Sequence, residues 1–252
     1  MDSAQRRSPS PHPDASRTRI TNQVALLVAS STSFLRRADL FNHFDTTLDE
    51  KRKGVVRWIL YVLTNASPDL QHVSMARDTA IQIFDTYLVE ALLQHPPLQD
   101  DPKFINSAAA VALSWGMRLH SDGPGALDLT GFKELDTYDG LHAFEKQMLA
   151  TLFNAAGGTC MQPQMAPACF VCELLHLIEG TPTYHPSLPA VAESLIVDFW
   201  EHGESMLLAP STIAVAAIIM AFSVLQLDCS DWLALVPDFC LYPLGDTTAS
   251  AA

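Results

Sequence analysis

A chain of 252 residues, 48% hydrophobic and only 17% charged, can bury one large core or two domains of ordinary size, and its composition excludes a wholly disordered or collagen-like protein. Fifteen Lys and Arg against 28 Asp and Glu leave a net charge near −13, which repels phosphate backbones and anionic membranes, and no segregated basic face offsets it. Five cysteines, Cys160, Cys169, Cys172, Cys229 and Cys240, are an odd, late-clustered set without the spacing of a disulfide framework. With no signal-like apolar region and no uninterrupted apolar run of about 18 residues, nucleus and cytoplasm are the expected locations, without contact to membrane or nucleic acid.

Residues 1–19 are rich in Ser, Pro and Arg with almost nothing to bury, which predicts a disordered arm. Ser8 and Ser10 each precede proline and are candidate phosphorylation sites, although such pairs also arise by chance in arms of this composition. From residue 20 the apolar spacing turns helical. "NQVALLVASSTSFLRRADLF" predicts a first amphipathic helix, and Val55, Trp58, Ile59, Val62 and Leu63 a second. A third is expected from Ser74, as N-cap, through Ala80, Ile81, Phe84, Tyr87, Leu88 and Ala91, until "HPPLQDDP" breaks the chain. "FINSAAAVALSWGMRL" is apolar or small on nearly every face and belongs at the centre of a bundle. There Ala108, Ala109, Ala110, Ala112 and Gly116 let neighbouring helices approach closely.

After "HSDGPG" a short helix is predicted near residues 127–135 and a longer one over 141–153, ended by "NAAGG". The plan then repeats, with helices in "APACFVCELLHLI", "PAVAESLIVDFW", "PSTIAVAAIIMAFSVLQL" and "SDWLALV". The two alanine-rich helices lie about 105 residues apart, which predicts two copies of one helical unit. The expected fold is therefore all-α: a disordered arm at 1–19, a first bundle at 20–155 and a second at 156–252.

Two charges fall on core-facing stripes. Arg52 precedes Val55 by three residues and Ile59 by seven, and Asp85 follows Ile81 by four and precedes Leu88 by three. A lone buried charge costs several kcal/mol whereas a paired one is tolerated, so Arg52 and Asp85 are expected to form a structural ion pair. Lys51, Lys53 and Arg57 splay outward on the other faces of that helix and are expected to offer charge beside a peptide-binding surface.

Signatures of chemistry are weak. Cys169 and Cys172 form a CxxC within a helix, and with no second pair nearby they are expected to be core thiols and not metal ligands. "HSD" at 120–122 is loop sequence, since triad members converge from distant segments. His43, His72, His95 and His142 are scattered, each more simply a solvated or satisfied imidazole than a ligand. No GxxxxGK[ST], GxGxxG or HExxH occurs. Neither an enzyme, nor a cofactor, nor a metal site is expected.

In order and spacing these residues resemble the cyclin family over about 24–236. The first box of that family carries an Arg, a Trp six residues on, and later an Asp before an aromatic-Leu pair; here stand "RKGVVRW" and "FDTYL". The central small-residue helix ends in a basic residue, here Arg118 where cyclins carry lysine after "LAS", and the fifth helix has a glutamate after a bulky apolar residue, here Glu145 after Phe144. The second box is similar at "APSTIAVAAI" and at the Trp of "SDWLALV", and "LLVASSTSFLRRADLF" resembles the segment leading into the box of D-type and plant-like cyclins.

The resemblance implies two tandem cyclin-fold bundles acting as the regulatory subunit of a cyclin-dependent Ser/Thr protein kinase, with G1/S progression as the favoured setting. It implies that Arg118 and Glu145 grip the mobile helix of the kinase, and that Val55, Trp58, Ile105 and Asn106 line a groove that docks Arg-x-Leu substrates. Lys51 and Gly54 replace larger apolar residues of that groove, which is expected to be weakened or repurposed. No Leu-x-Cys-x-Glu sequence or destruction box is evident, and the last helix of the second bundle is expected to be shortened or missing. Cyclin-fold scaffolds and transcription-associated proteins share the architecture without activating a kinase, so that class is the alternative.

Overall fold

The structure, a computed structural model, describes residues 46–65, 73–120, 135–155, 166–202, 205, 208–237 and 240. The expected arm with Ser8 and Ser10, the helix expected within 21–41, and all but Leu135 of the short helix expected near 127–135 lie outside the described residues. Among the described residues every regular element is helical. The α-helices are α1 (Thr46–Asn65), α2 (Val73–Gln94), α3 (Pro102–Leu119), α4 (Leu141–Ala155), α5 (Pro167–Leu175), α6 (Leu188–Trp200), α7 (Pro210–Val224) and α8 (Ser230–Leu233), with a 3-10 turn at Pro96–Asp100.

α1 follows directly from its periodicity. Leu48, Arg52, Val55, Val56, Ile59 and Leu63 recur at three- and four-residue steps and are all buried. On the opposite side Lys53 pairs with Asp49 and Glu50, acids placed one turn N-terminal to the cation. α2 is buried almost all round and forms the centre of the first group of helices. Ser74 lies inside this helix and does not cap it; its hydroxyl donates to Glu193 of α6 at 2.7 Å. The capping expectation failed because the helix begins one residue earlier and the hydroxyl found a stronger, charged acceptor on another element.

α3 starts where the sequence supplies the right chemistry. Asp101 accepts hydrogen bonds from the backbone N–H groups of Lys103 and Phe104, and Pro102 takes the first helical position, where no donor is needed. α3 packs most extensively on α2. At Gly116 a Cβ would stand 2.4 Å from the carbonyl oxygen of Ala76 and 2.9 Å from the Cβ of Ala80, so the two backbones touch there. Gly116→Ala is therefore expected to destabilise the fold by about 1–3 kcal/mol through overpacking. Gly54→Ala, with nothing within 4 Å of the added methyl, is expected to be neutral or stabilising through helix propensity. Thermal unfolding of the two variants checks both signs.

α4 closes the first group by placing Phe144 against Tyr87, Phe104 and Tyr138, with ring centroids 5.6–5.8 Å apart. The second group gathers α5, α6 and α8 on the apolar α7, and α5 also packs on α2. Gln226, at φ 56°, takes the left-handed conformation just beyond the end of α7. The fully buried Trp232 of α8 stacks near Phe222 and donates its indole N–H to the Leu174 carbonyl. Buried residues of both groups join in one continuous hydrophobic cluster.

One expectation fails in α5. Cys169 is buried beside Phe170 and Val171, but Cys172 is exposed, because the buried stripe of this helix runs from Pro167 to Ala168, Val171, Leu174 and Leu175 and turns Cys172 outward. Among the described residues no group of three His, Cys, Asp or Glu side chains is placed to hold a metal ion, and no helix is long and apolar enough to cross a membrane.

Candidate functional site

Arg52 is fully buried and its guanidinium makes four hydrogen bonds. It clasps Asp85 in a bidentate pair, Nε to Oδ1 at 2.8 Å and Nη2 to Oδ2 at 2.7 Å. The remaining donors reach the second group of helices: Nη1 to the Trp200 carbonyl at 3.0 Å and Nη2 to the Ser205 hydroxyl at 3.0 Å. Trp200 is the last residue of α6, so a cation sits at the carbonyl end of that helix dipole. Burial pushes the Asp85 carboxyl above its ordinary range, against the pull of Arg52.

Asp78, one turn pair upstream on the same face of α2, does the complementary job. Its Oδ1 accepts from the Trp200 indole N–H at 2.9 Å and from Arg77 Nε at 2.6 Å, and its Oδ2 from the Ala168 backbone N–H at 3.1 Å. α5 has no side-chain cap of its own at Ala166, and the carboxylate of Asp78 supplies one from the other group of helices. Asp78, Trp200 and Ser205 were missed in the sequence. Asp78 precedes Asp85 by seven residues, so the stripe arithmetic that singled out Asp85 marks it equally.

The expected groove residues are brought together. Val55 and Trp58 of α1 and Ile105 and Asn106 of α3 line a surface groove of about 480 Å³, with Lys51 and Asp100 on its walls. Lys51 Nζ donates to the Gln99 carbonyl at 2.7 Å and lies 3.4 Å from the Asp100 carboxylate, so its charge is engaged locally. Asn106 donates to the Asp136 carbonyl at 3.1 Å, which ties the far wall to the segment before α4. Below it Tyr138 donates to Asp101; that bond holds the Asp101 carboxyl below its usual range and pushes the Tyr138 phenol up to about 12.

Lys53 and Arg57 do not join the groove. They line a separate recess with Glu50, Asp198, Glu201 and His202, and Arg57 binds Glu201 through Nε at 2.9 Å and Nη2 at 2.8 Å. The reason is angular: Lys51 and Lys53 are two positions apart, about 200° around the helix, so they cannot share a rim.

Arg118 and Glu145 meet at the other end of α3. Arg118 Nη1 donates to Glu145 Oε1 at 3.0 Å across the α3–α4 contact. The same oxygen accepts the Trp115 indole N–H at 2.7 Å, and Oε2 lies 3.3 Å from His142 Nδ1. Partial burial alone would raise the Glu145 carboxyl; Trp115, His142 and Arg118 together hold it below the ordinary range. Leu119, next to Arg118, and Leu149, one turn beyond Glu145, are each about half exposed, so apolar surface borders the pair. Ala109 in the groove and Arg118 are nine residues apart, about 14 Å along one rigid helix.

Trp115 and His142 were not singled out by sequence as partners of Glu145. Their signal is the spacing within each helix, Trp115 three before Arg118 and His142 three before Glu145. No family model, curated protein or solved structure matches the chain.

Proposed function

We propose that this chain is a cyclin-type regulatory subunit, with bundles at 20–155 and 156–252, that binds and activates a cyclin-dependent Ser/Thr kinase in the nucleus and cytoplasm to drive cell-cycle progression, G1/S above all. The observation that carries the reading is the cation and anion of Arg118 and Glu145 side by side on two adjoining helices, with exposed Leu119 and Leu149 at their flank. Such a surface offers what a mobile helix of a partner needs: a donor and an acceptor for backbone groups, and an apolar rail to lie on. The order of the sequence motifs supports the same reading, as does the separate groove on α1 and α3.

The subunit contributes no reacting group. Its action is a population shift, in which it binds the active arrangement of the kinase, with the Lys–Glu pair formed and the activation loop aside, more tightly than the inactive one. Taking a kinase from 1% to 99% active requires a preference of roughly 10⁴-fold, more than one ion pair supplies, so a broad and preformed surface is required. A single core spanning both helix groups meets that requirement by keeping the docking face rigid.

The test is capture by a panel of purified cyclin-dependent kinases, followed by phosphorylation of a Ser-Pro peptide. The wild type is expected to bind at least one kinase and raise its turnover, and Arg118→Ala and Glu145→Ala each to weaken binding about tenfold or more while the chain stays folded, Glu145→Ala with a modest fall in melting temperature from the hydrogen bonds it loses. If the wild type captures none, or both substitutions leave capture intact, the proposal is wrong. Capture without a rise in turnover would select the alternative, a cyclin-fold scaffold.

A further inference from the structure

Glu145 is bonded unevenly. Oε1 carries two donors, the Trp115 indole N–H at 2.7 Å and Arg118 Nη1 at 3.0 Å, while Oε2 faces only the His142 ring at 3.3 Å among the described residues. The two donors on Oε1 differ in kind. Trp115 is partly buried and packed against the hydrophobic core, and its N–H neither ionises nor rotates away from a fixed ring. Arg118 is a long side chain with about two-fifths of its surface exposed, free to exchange Glu145 for an acceptor on another molecule.

If Arg118 alone held the carboxylate, its departure toward a partner would release Glu145 as well. With Trp115 in place, the carboxylate keeps its orientation when Arg118 moves. Oε2 then has His142 beside it, with three-quarters of that side chain exposed. The charged groups facing Glu145 are Arg118 from α3 and His142 from its own helix.

We propose that Trp115 is a positioning residue for docking: its indole N–H pins Oε1 of Glu145 so that Oε2 meets an N–H donor of the partner. This rests on the reading of Arg118 and Glu145 as the partner-facing pair.

Two measurements on the full chain separate the two ideas. By NMR without any partner, the Trp115 indole resonance, assigned by its loss in Trp115→Phe, is expected to move strongly upfield in Glu145→Gln. An indole signal indifferent to Glu145→Gln would overturn the positioning role whether or not any kinase binds.

With a kinase that the wild type captures, Trp115→Phe is expected to weaken affinity about tenfold, the cost of losing one hydrogen bond to a charged group. It should add nothing in a Glu145→Ala background. Full affinity in Trp115→Phe, or additivity with Glu145→Ala, refutes the proposal. If the wild type captures no kinase, the proposed function fails while the NMR result still decides the role of Trp115.

Discussion

Arg52→Met is expected to be among the most damaging single substitutions in the first helix group, lowering stability by about 3–5 kcal/mol. The guanidinium is fully buried and engages Asp85, the Trp200 carbonyl and Ser205, so its removal strands an ionised carboxylate and two acceptors away from water. Urea denaturation should show a lower midpoint with an unchanged slope, since the folded and unfolded states still differ by a similar exposed area. Arg52→Met combined with Asp85→Leu should recover much of the loss, because an apolar pair of similar volume replaces a buried ion pair at little cost. Recovery should be incomplete, as the carbonyl at the end of α6 still lacks its donor. A loss under about 1 kcal/mol for the single variant would show that the pair is strained or hydrated and holds nothing together.

Asp78→Ala is expected to cost a similar amount, about 3–5 kcal/mol, by a different route. One carboxylate with no exposed surface serves the Trp200 indole, the Ala168 amide and Arg77 at once. Arg77 has one guanidinium nitrogen already without a partner, so without Asp78 it becomes a buried cation with no ion-pair partner among the described residues. The damage should concentrate where the second helix group meets the first. Hydrogen exchange is expected to rise at the start of α5 and the end of α6 well before it rises in α3. Asp78→Asn, which keeps an acceptor but loses the charge, should fall between wild type and Asp78→Ala. A uniform rise in exchange over all helices would argue against the carboxylate acting as a local bolt between the groups.

Much of this was readable from local pattern. Arg52 and Asp85 were visible because a charge on a core-facing stripe is an anomaly in a periodic code; of the expected stripe of α1, Val55, Ile59 and Leu63 are buried, while Trp58 and Val62 lie half-buried at its edge. Asp78 sits on the same stripe, yet its donors come from 90 and 122 residues away, and no spacing rule points to them. Ser74 fitted a capping rule, but Glu193, 119 residues on, captured its hydroxyl. Cys172 was misjudged because a helix with a wide apolar face still has an outer edge, and only the packing of α5 on α2 and α7 shows where that edge lies.

What the sequence alone determined is the helical character of the described chain, the approximate bounds of α3 to α7, and which side of α1 faces inward. Helical periodicity and proline placement are local properties, set within a few residues by backbone geometry and the hydrophobic effect. Only the tertiary structure decided that Arg118 reaches Glu145, that Trp115 and His142 share the same carboxylate, and that Arg52 and Asp78 cap helices of the other group. Those meetings depend on crossing angles and on loop paths between helices, and a rotation of one helix by a single residue, about 100°, would break those that it makes with its neighbours while leaving the sequence pattern intact.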